Sequence, residues 1–221
     1  GRGHSPFLCL ALGGVSGKAR GRAPSGIRMG REHGPANCSQ IGMVGIRNQE
    51  ELMPDATCTC GQVRIEINGK PIMVAECGCT SCQTAGQAIG GVLTEHYTTP
   101  YVMVRKDRVC LASGDGALEA RRLTPESATR RVVATCCGAP MYLEFEKGHW
   151  LSVYAARLSA QDRGALDCRT MTKDLPEGIV LPNDVPNPKR HTPGFMLKLM
   201  GAWVAMGFRT PKIDWAREAT G

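Results

Sequence analysis

Aromatic side chains are scarce in this chain: Phe, Trp and Tyr together make up 5% of its residues. Aromatics carry the largest buried areas, so a core without them leans on smaller side chains and leaves room for metal sites to contribute to folding. Long apolar runs are also missing. Phe7 to Leu12 is apolar but too short to span a bilayer, and no small-residue cleavage site of a secretion signal follows it. The stretch from Gly194 to Phe208 is short and carries Lys198, so no membrane span is expected, and a docked or membrane-surface helix suits it better. No internal repeat is visible, and at 221 residues the chain suits one domain with its own core.

Acidic residues are outnumbered, 20 against 27 basic ones, and over half of the resulting +7 charge falls in the first fifty residues. There Arg2, Lys18, Arg20, Arg22, Arg28, Arg31 and Arg47 face only Glu32, Glu50 and Glu51. Such a tail can touch nucleic acid or anionic membranes without specificity. Its irregular Gly, Ser and Pro content and lack of aromatics make residues 1–52 a solvated, disordered arm, and no specific nucleic-acid partner is expected.

What the chain has in abundance is cysteine, 11 in all. An odd number does not suit a closed disulfide set, and the cysteines are bunched: Cys58-Thr59-Cys60-Gly61, then Cys77-Gly78-Cys79-Thr80-Ser81-Cys82, then Cys136-Cys137-Gly138. Cys-x-Cys and vicinal pairs fit disulfide geometry poorly. Metal-bound thiolates in a reducing compartment, with the cytoplasm as the natural address, account for the pattern better. Cys9, Cys38, Cys110 and Cys168 stand apart and read as small buried apolar residues.

From Cys58 onward the chain reads as short strands. Val63, Ile65 and Ile67 alternate with Arg64 and Glu66, and Asn68-Gly69 predicts a tight hairpin returning through Ile72 to Ala75. Further strands are expected over Tyr101–Val104, Val109–Ala112, Ala117–Leu123, Arg131–Thr135, Met141–Phe145 and Leu151–Tyr154. After about Arg169, Pro176, Pro182, Pro186, Pro188 and Pro193 exclude helix and central strand, and a helix from Phe195 to about Phe208 is expected to cover part of the sheet. The predicted organisation is an arm over 1–52, a mainly β zinc-binding domain over 53–168, and over 169–221 an extended segment with a C-terminal helix packing on that domain.

Zinc takes four ligands when structural, and three plus an open position when catalytic. The seven clustered cysteines divide accordingly. Cys77, Cys79 and Cys82 form an open site, whereas Cys58, Cys60, Cys136 and Cys137 form a closed one that staples the first strand to a distant one. One or two Zn(2+) ions per chain are expected; four well-spaced ligands for an iron–sulfur cluster are not obvious.

The order C-x-C-G, C-x-C-x-x-C and a strand ending in Cys-Gly resembles the glutathione-dependent formaldehyde-activating enzyme family, also called the CENP-V/GFA domain. The likeness runs from about Cys58 to Met141, with weaker support to roughly Leu158. Tyr101–Arg108 (YVMVRKDR) and Arg130–Met141 (RRVVATCCGAPM) are similar to a bacterial branch of the family. The resemblance implies an Mss4-like fold of several small antiparallel sheets around zinc. It also implies that Cys58, Cys60 and Cys137 serve a structural site and Cys77, Cys79 and Cys82 a catalytic one. Two positions depart from the family pattern: Gly78 stands where His is usual, and Ala134 where a cysteine is. Cys136 is the nearest replacement for the latter, and His149 a spare ligand.

A zinc on three thiolates is a weak Lewis acid suited to thiol chemistry. The implied activity is that of a carbon–sulfur lyase or thiol–aldehyde adduct former with a glutathione-like partner. Arg105, Lys106, Arg108, Arg130 and Arg131 are candidates for its carboxylates, and His96 is the histidine nearest the middle motif. A non-catalytic zinc-stabilised binding module and a thiol redox or metal-handling protein are the alternatives. The chain opens with Gly1, while Met53 stands just before the first cysteine pair, so native translation is expected to begin at or near Met53. Intact mass of the native protein checks this, and a mass that includes residues 1–52 would overturn it.

Overall fold

A computed structural model of the chain describes residues 52–219. The basic arm expected over 1–52 lies outside the described residues except for Leu52, as do Cys9 and Cys38. The described chain is mainly β, with two α-helices, and its strands form two sheets.

The smaller sheet is antiparallel, with β1 (Leu52–Thr57), β2 (Arg64–Asn68) and β5 (Val109–Ser113) in the order β1-β2-β5. Pro54 is tolerated in β1 because that strand lies on the sheet's edge, where its register slips between Met53 and Ala56. The larger sheet has eight strands. They are β3 (Met73–Cys77), β4 (Thr99–Arg105), β6 (Leu118–Arg121), β7 (Thr129–Ala134), β8 (Pro140–Phe145), β9 (Trp150–Tyr154), β10 (Cys168–Thr170) and β11 (Arg217–Glu218). Their order is β10-β3-β4-β9-β8-β7-β6-β11, antiparallel except for the two outermost pairings, β10 with β3 and β11 with β6. The resemblance implied several small sheets. The mainly β fold with its C-terminal helix is present, and the strands outside β1, β2 and β5 lie in one larger sheet.

The expected strands are present with shifts at their ends, but the Asn68-Gly69 hairpin is not. Gly69 does take the left-handed conformation, φ +82°. The turn nevertheless passes the chain from the small sheet to the large one: β2 pairs with β1 and β5, β3 with β4 and β10. Turn chemistry fixes a local bend; the neighbours that bury Ile65 and Ile67 decide which sheet each strand joins.

Side chains on successive strand residues point to opposite faces. On one face of the large sheet Val74, Val102, Val132, Tyr142 and Val153 join Ile65, Ile67 and Val109 of the small sheet in the main core. The other face carries the helices. Met73, Ala75 and Met103 pack there against Phe195 and Leu199 of α2 (Pro193–Ala205), while Cys82 of α1 (Thr80–Ile89) packs with Tyr101 and Tyr154.

Helix α2 begins as its sequence suggests. Thr192 Oγ1 accepts from the Phe195 N–H at 3.1 Å and Pro193 occupies the first turn. It ends at Ala205 rather than near Phe208, where a residue with φ +57° stands. Phe195 and Leu199 are buried, whereas Met196, Leu197, Met200 and Val204 are about half exposed or more. The proline-rich segment before α2 is held by side chains instead of secondary structure. Buried Arg169 meets Glu76 at 3.0 Å and Asp184 at 2.6 Å, tying the segment to β3. Among the described residues no helix is long and apolar enough to cross a membrane.

One buried ionic group crosses the sheet. Glu144 on β8 accepts from Lys106 Nζ at 2.5 Å and from Arg130 on β7, and the Lys106 and Glu144 side chains are almost wholly buried. Removing one partner of such a group leaves the others as uncompensated buried charge. Glu144→Ala should therefore cost about 3–5 kcal/mol in denaturant unfolding. Arg121→Ala, which breaks the exposed pair with Glu119, should change stability by less than about 1 kcal/mol. Equal effects would show that burial does not set the weight of the Glu144 pairs.

Candidate metal centres

Two tight turns bring the first sulfur cluster together. After β1 the Gly61 N–H donates to the Cys58 carbonyl at 3.0 Å, with Gly61 at φ +81°. Between β7 and β8 the Gly138 N–H donates to Ala134 at 2.8 Å, with Gly138 at φ +72°. Both glycines adopt a conformation that side-chain-bearing residues rarely take. The sulfurs of Cys58, Cys60, Cys136 and Cys137 all lie within 4.8 Å of one another. Cys58 is 3.5 Å from Cys60 and 3.8 Å from Cys136, Cys60 is 3.3 Å from Cys136, and Cys136 is 3.9 Å from Cys137. A tetrahedral four-thiolate site with metal–sulfur bonds of about 2.3 Å spaces its sulfurs by about 3.8 Å, so this donor set fits a closed tetrahedral ion.

The cysteine missing at position 134 is thus replaced in space by Cys136. Ala134 itself is fully buried in the core. Two of the four thiols are biased toward the anionic form, while burial and the neighbouring sulfurs push Cys136 up to about 12. Burial raises the Cys58 thiol, but the Val63 N–H, 3.2 Å away, and the neighbouring sulfurs outweigh it and hold the group below its ordinary value. At Cys137 the opposing effect of burial is outweighed by the backbone N–H groups of Ala139 and Cys60, which bring that thiol down to about 6.

The second cluster stands at the junction of β3 and α1. Cys77 ends β3, Cys79 caps α1 by accepting from the Cys82 N–H at 3.4 Å, and Cys82 lies in the first turn. Their three sulfurs lie within 4.8 Å of one another. Hydrogen bonds from Cys77 and Cys82, reinforced by the helix-end N–H groups of Cys82 and Ser81, bring Cys79 down to about 2. The same sharing, with burial, pushes Cys77 far up. Three sulfurs thus divide little negative charge until a cation joins them, and only three of the four tetrahedral positions have a protein donor in this cluster.

Helix α1 was not expected from the sequence. Its run TSCQTAGQAI holds two Thr, a Ser and a Gly, its cap is a cysteine, and only Cys82, Ala85 and Gly86 are buried. Gly78 differs from the other motif glycines because its φ is not positive. A Cβ there would lie 2.8 Å from Leu175 Cδ2 and 3.4 Å from the Met171 carbonyl. The segment after β10 therefore occupies the space of a larger side chain at 78. Gln83 clamps it further, donating to Gly78 O at 2.7 Å and Asp174 O at 2.8 Å.

The three-sulfur cluster opens on a cavity of about 420 Å³ between the large sheet and the two helices. Of the basic candidates, only Arg131 lines it. Arg105 is paired with Asp107, Lys106 with Glu144, and Arg130 with Glu144 and Glu218. His149 lies at neither cluster. It is buried, donates from Nε2 to Leu199 O at 2.8 Å and stacks on Trp203, so its role is to anchor α2. His96 pairs with Glu95 and belongs to neither sulfur group.

His191, which the sequence reading passed over, does line the cavity. Its Nδ1 lies 3.0 Å from Thr170 Oγ1, its ring stacks on Phe195 at 4.5 Å, and burial holds it below the ordinary histidine value. It sits in the proline-rich stretch, 109 residues after Cys82, with no motif around it to signal a role.

Residues 53–174 match the protein family described as glutathione-dependent formaldehyde-activating enzyme. A crystal structure of a Rhodobacter sphaeroides protein is similar at 18% identity and a TM-score of 0.38, covering 51% of this chain and 96% of that one. Comparison with curated proteins gives no match.

The contact between Gly78 and Leu175 is testable by a double-mutant cycle. Gly78→Ala should cost about 1–2 kcal/mol in denaturant unfolding, and most of that cost should vanish in a Leu175→Ala background. Additive effects would mean that the two positions do not share this space.

Proposed function

The chain belongs to the glutathione-dependent formaldehyde-activating enzyme family, and on that premise we propose that it is a zinc enzyme acting on a carbon–sulfur bond. In this reading it forms or cleaves the adduct between a small thiol and an aldehyde. The observation that carries the reading is the three-sulfur cluster of Cys77, Cys79 and Cys82 opening on a cavity, separate from a four-sulfur cluster that needs no further ligand. Zinc held by the three thiolates would supply a weakly Lewis-acidic centre suited to exchanging a further thiolate. Cys58, Cys60, Cys136 and Cys137 would hold a second, structural zinc that links the β1–β2 connection to the β7–β8 turn.

In adduct formation a C–S bond forms, the carbonyl π pair moves to oxygen, and the thiol proton ends on that oxygen. Cleavage reverses each change. His191 is the imidazole lining the cavity, and in the tautomer whose Nδ1–H donates to Thr170 Oγ1 its Nε2 would carry that proton. Because burial lowers its titration, the ring is neutral near pH 7 and ready to accept. Tyr101, whose hydroxyl lies 3.7 Å from Cys82 Sγ, holds the buried side of the cluster. The free thiols of both clusters point to a reducing compartment, for which the cytoplasm is our proposal.

The reading is tested by metal content per full-length chain, wild type beside Cys79→Ala, together with turnover of formaldehyde and a thiol. About two zinc ions should fall to about one with the fold intact, and turnover should be lost. About one zinc in the wild type, unchanged by the substitution, would leave the middle cluster empty and favour a zinc-stabilised binding module.

A further inference from the structure

The cavity beside Cys77, Cys79 and Cys82 is lined by a buried cation that, among the described residues, has no carboxylate partner. Arg131 on β7 is 2% exposed. Its Nη2 donates to Ser81 Oγ at 2.7 Å and Ser81 O at 3.1 Å, both neutral acceptors on α1. Its Nε and Nη1 are buried without a hydrogen-bond partner, and among the described residues no carboxylate pairs with it. Neighbouring Arg130, by contrast, meets two carboxylates. A buried guanidinium with two idle donors is costly unless a ligand anion completes it.

Beyond this cation, the thiols, His191 and the hydroxyl-bearing Ser81, Tyr101, Thr129, Ser152 and Thr170, the lining is apolar. Strand register places Arg131, Leu143, Ser152 and Met103 in one row across β7, β8, β9 and β4, forming the cavity floor. Phe195 and Leu199 of α2 and Trp150 of β9 supply facing walls. Among the described residues no Asp or Glu lines the cavity, so no carboxylate is there to pair with an ammonium group. Helix α2 also lies beyond residues 53–174, so this wall is not part of the matched family segment.

We propose that Arg131 is the anion subsite of this cavity, and that the ligand it selects is a compact monoanion with an apolar, aryl or branched-alkyl, body. The identification of this body as part of the thiol substrate rests on the carbon–sulfur reading above; the anion subsite itself does not. A ligand carboxylate could accept from Nη1, leaving Nε, on the opposite edge of the guanidinium, to a second small acceptor. The zwitterionic tripeptide glutathione, with two carboxylates and an ammonium, would leave charges unmatched against the walls.

Isothermal titration of the full-length protein with 3-phenylpropanoate, its primary amide and reduced glutathione tests this. The carboxylate should bind about tenfold or more tightly than the amide, and glutathione more weakly than the carboxylate. Arg131→Met should abolish the preference for carboxylate while leaving amide affinity unchanged. The wild-type comparison of carboxylate with amide decides the matter even if that variant does not fold. Equal affinities, binding of neither probe, or tighter binding of glutathione would overturn the proposal. The same titration on Cys79→Ala keeps the two ideas apart: a preference that persists in a variant without turnover supports the subsite whatever the fate of the lyase reading.

Discussion

A β-sheet must give its two faces to different neighbours, and most of this molecule follows from how the eight-stranded sheet does so. One face is closed against the small sheet by Val74, Val102, Val132, Tyr142 and Val153. The opposite face receives two short helices, too little cover for so broad a surface, and the gap between them is the cavity. The residues that alternate with the core aliphatics therefore become a cavity floor. Arg131 stands between Arg130, which the acidic pairs neutralise, and Val132, which the core absorbs. A shift of one residue in β7 would exchange these roles.

The sulfur clusters belong to the same plan. Cys77 ends β3, and the next turn of chain starts a helix on the cavity face, so three thiols converge where strand becomes helix. Cys58 and Cys60 follow β1, and Cys136 and Cys137 follow β7, so the four-sulfur cluster joins the turn after the small sheet's edge strand to a turn of the large one. With few aromatics available, a metal ion held there would provide cohesion that side-chain volume would otherwise supply.

Cysteine grouping was legible because side chains on one turn are close in sequence, and the groups at 58–60, 77–82 and 136–137 do converge into two sulfur clusters. Strand alternation was legible for the same reason. The failures are of the opposite kind. Asn68-Gly69 encodes a bend but not the partner of β3, and α1 has a helix end without a familiar cap and a body of weak formers. Arg131 was one of five basic candidates that nothing local could rank, since what sets it apart is the absence of a carboxylate supplied by distant strands. His191 and Leu175 reach the site because the β10–β3 pairing, Arg169 and Gln83 fold the later segment back onto β3 and α1.

Chain order gives the α2 wall a place in time. Synthesis runs from the N-terminus, and domains begin to organise as they emerge. All seven clustered thiols have been synthesised by Cys137, before Phe195 and Leu199 exist. Over that interval the floor formed by Met73, Ala75 and Met103 has no helix above it. A metal ion arriving then meets the middle cluster from an open side. One arriving after α2 has docked would meet that cluster through a cavity whose lining includes His191 and Phe195.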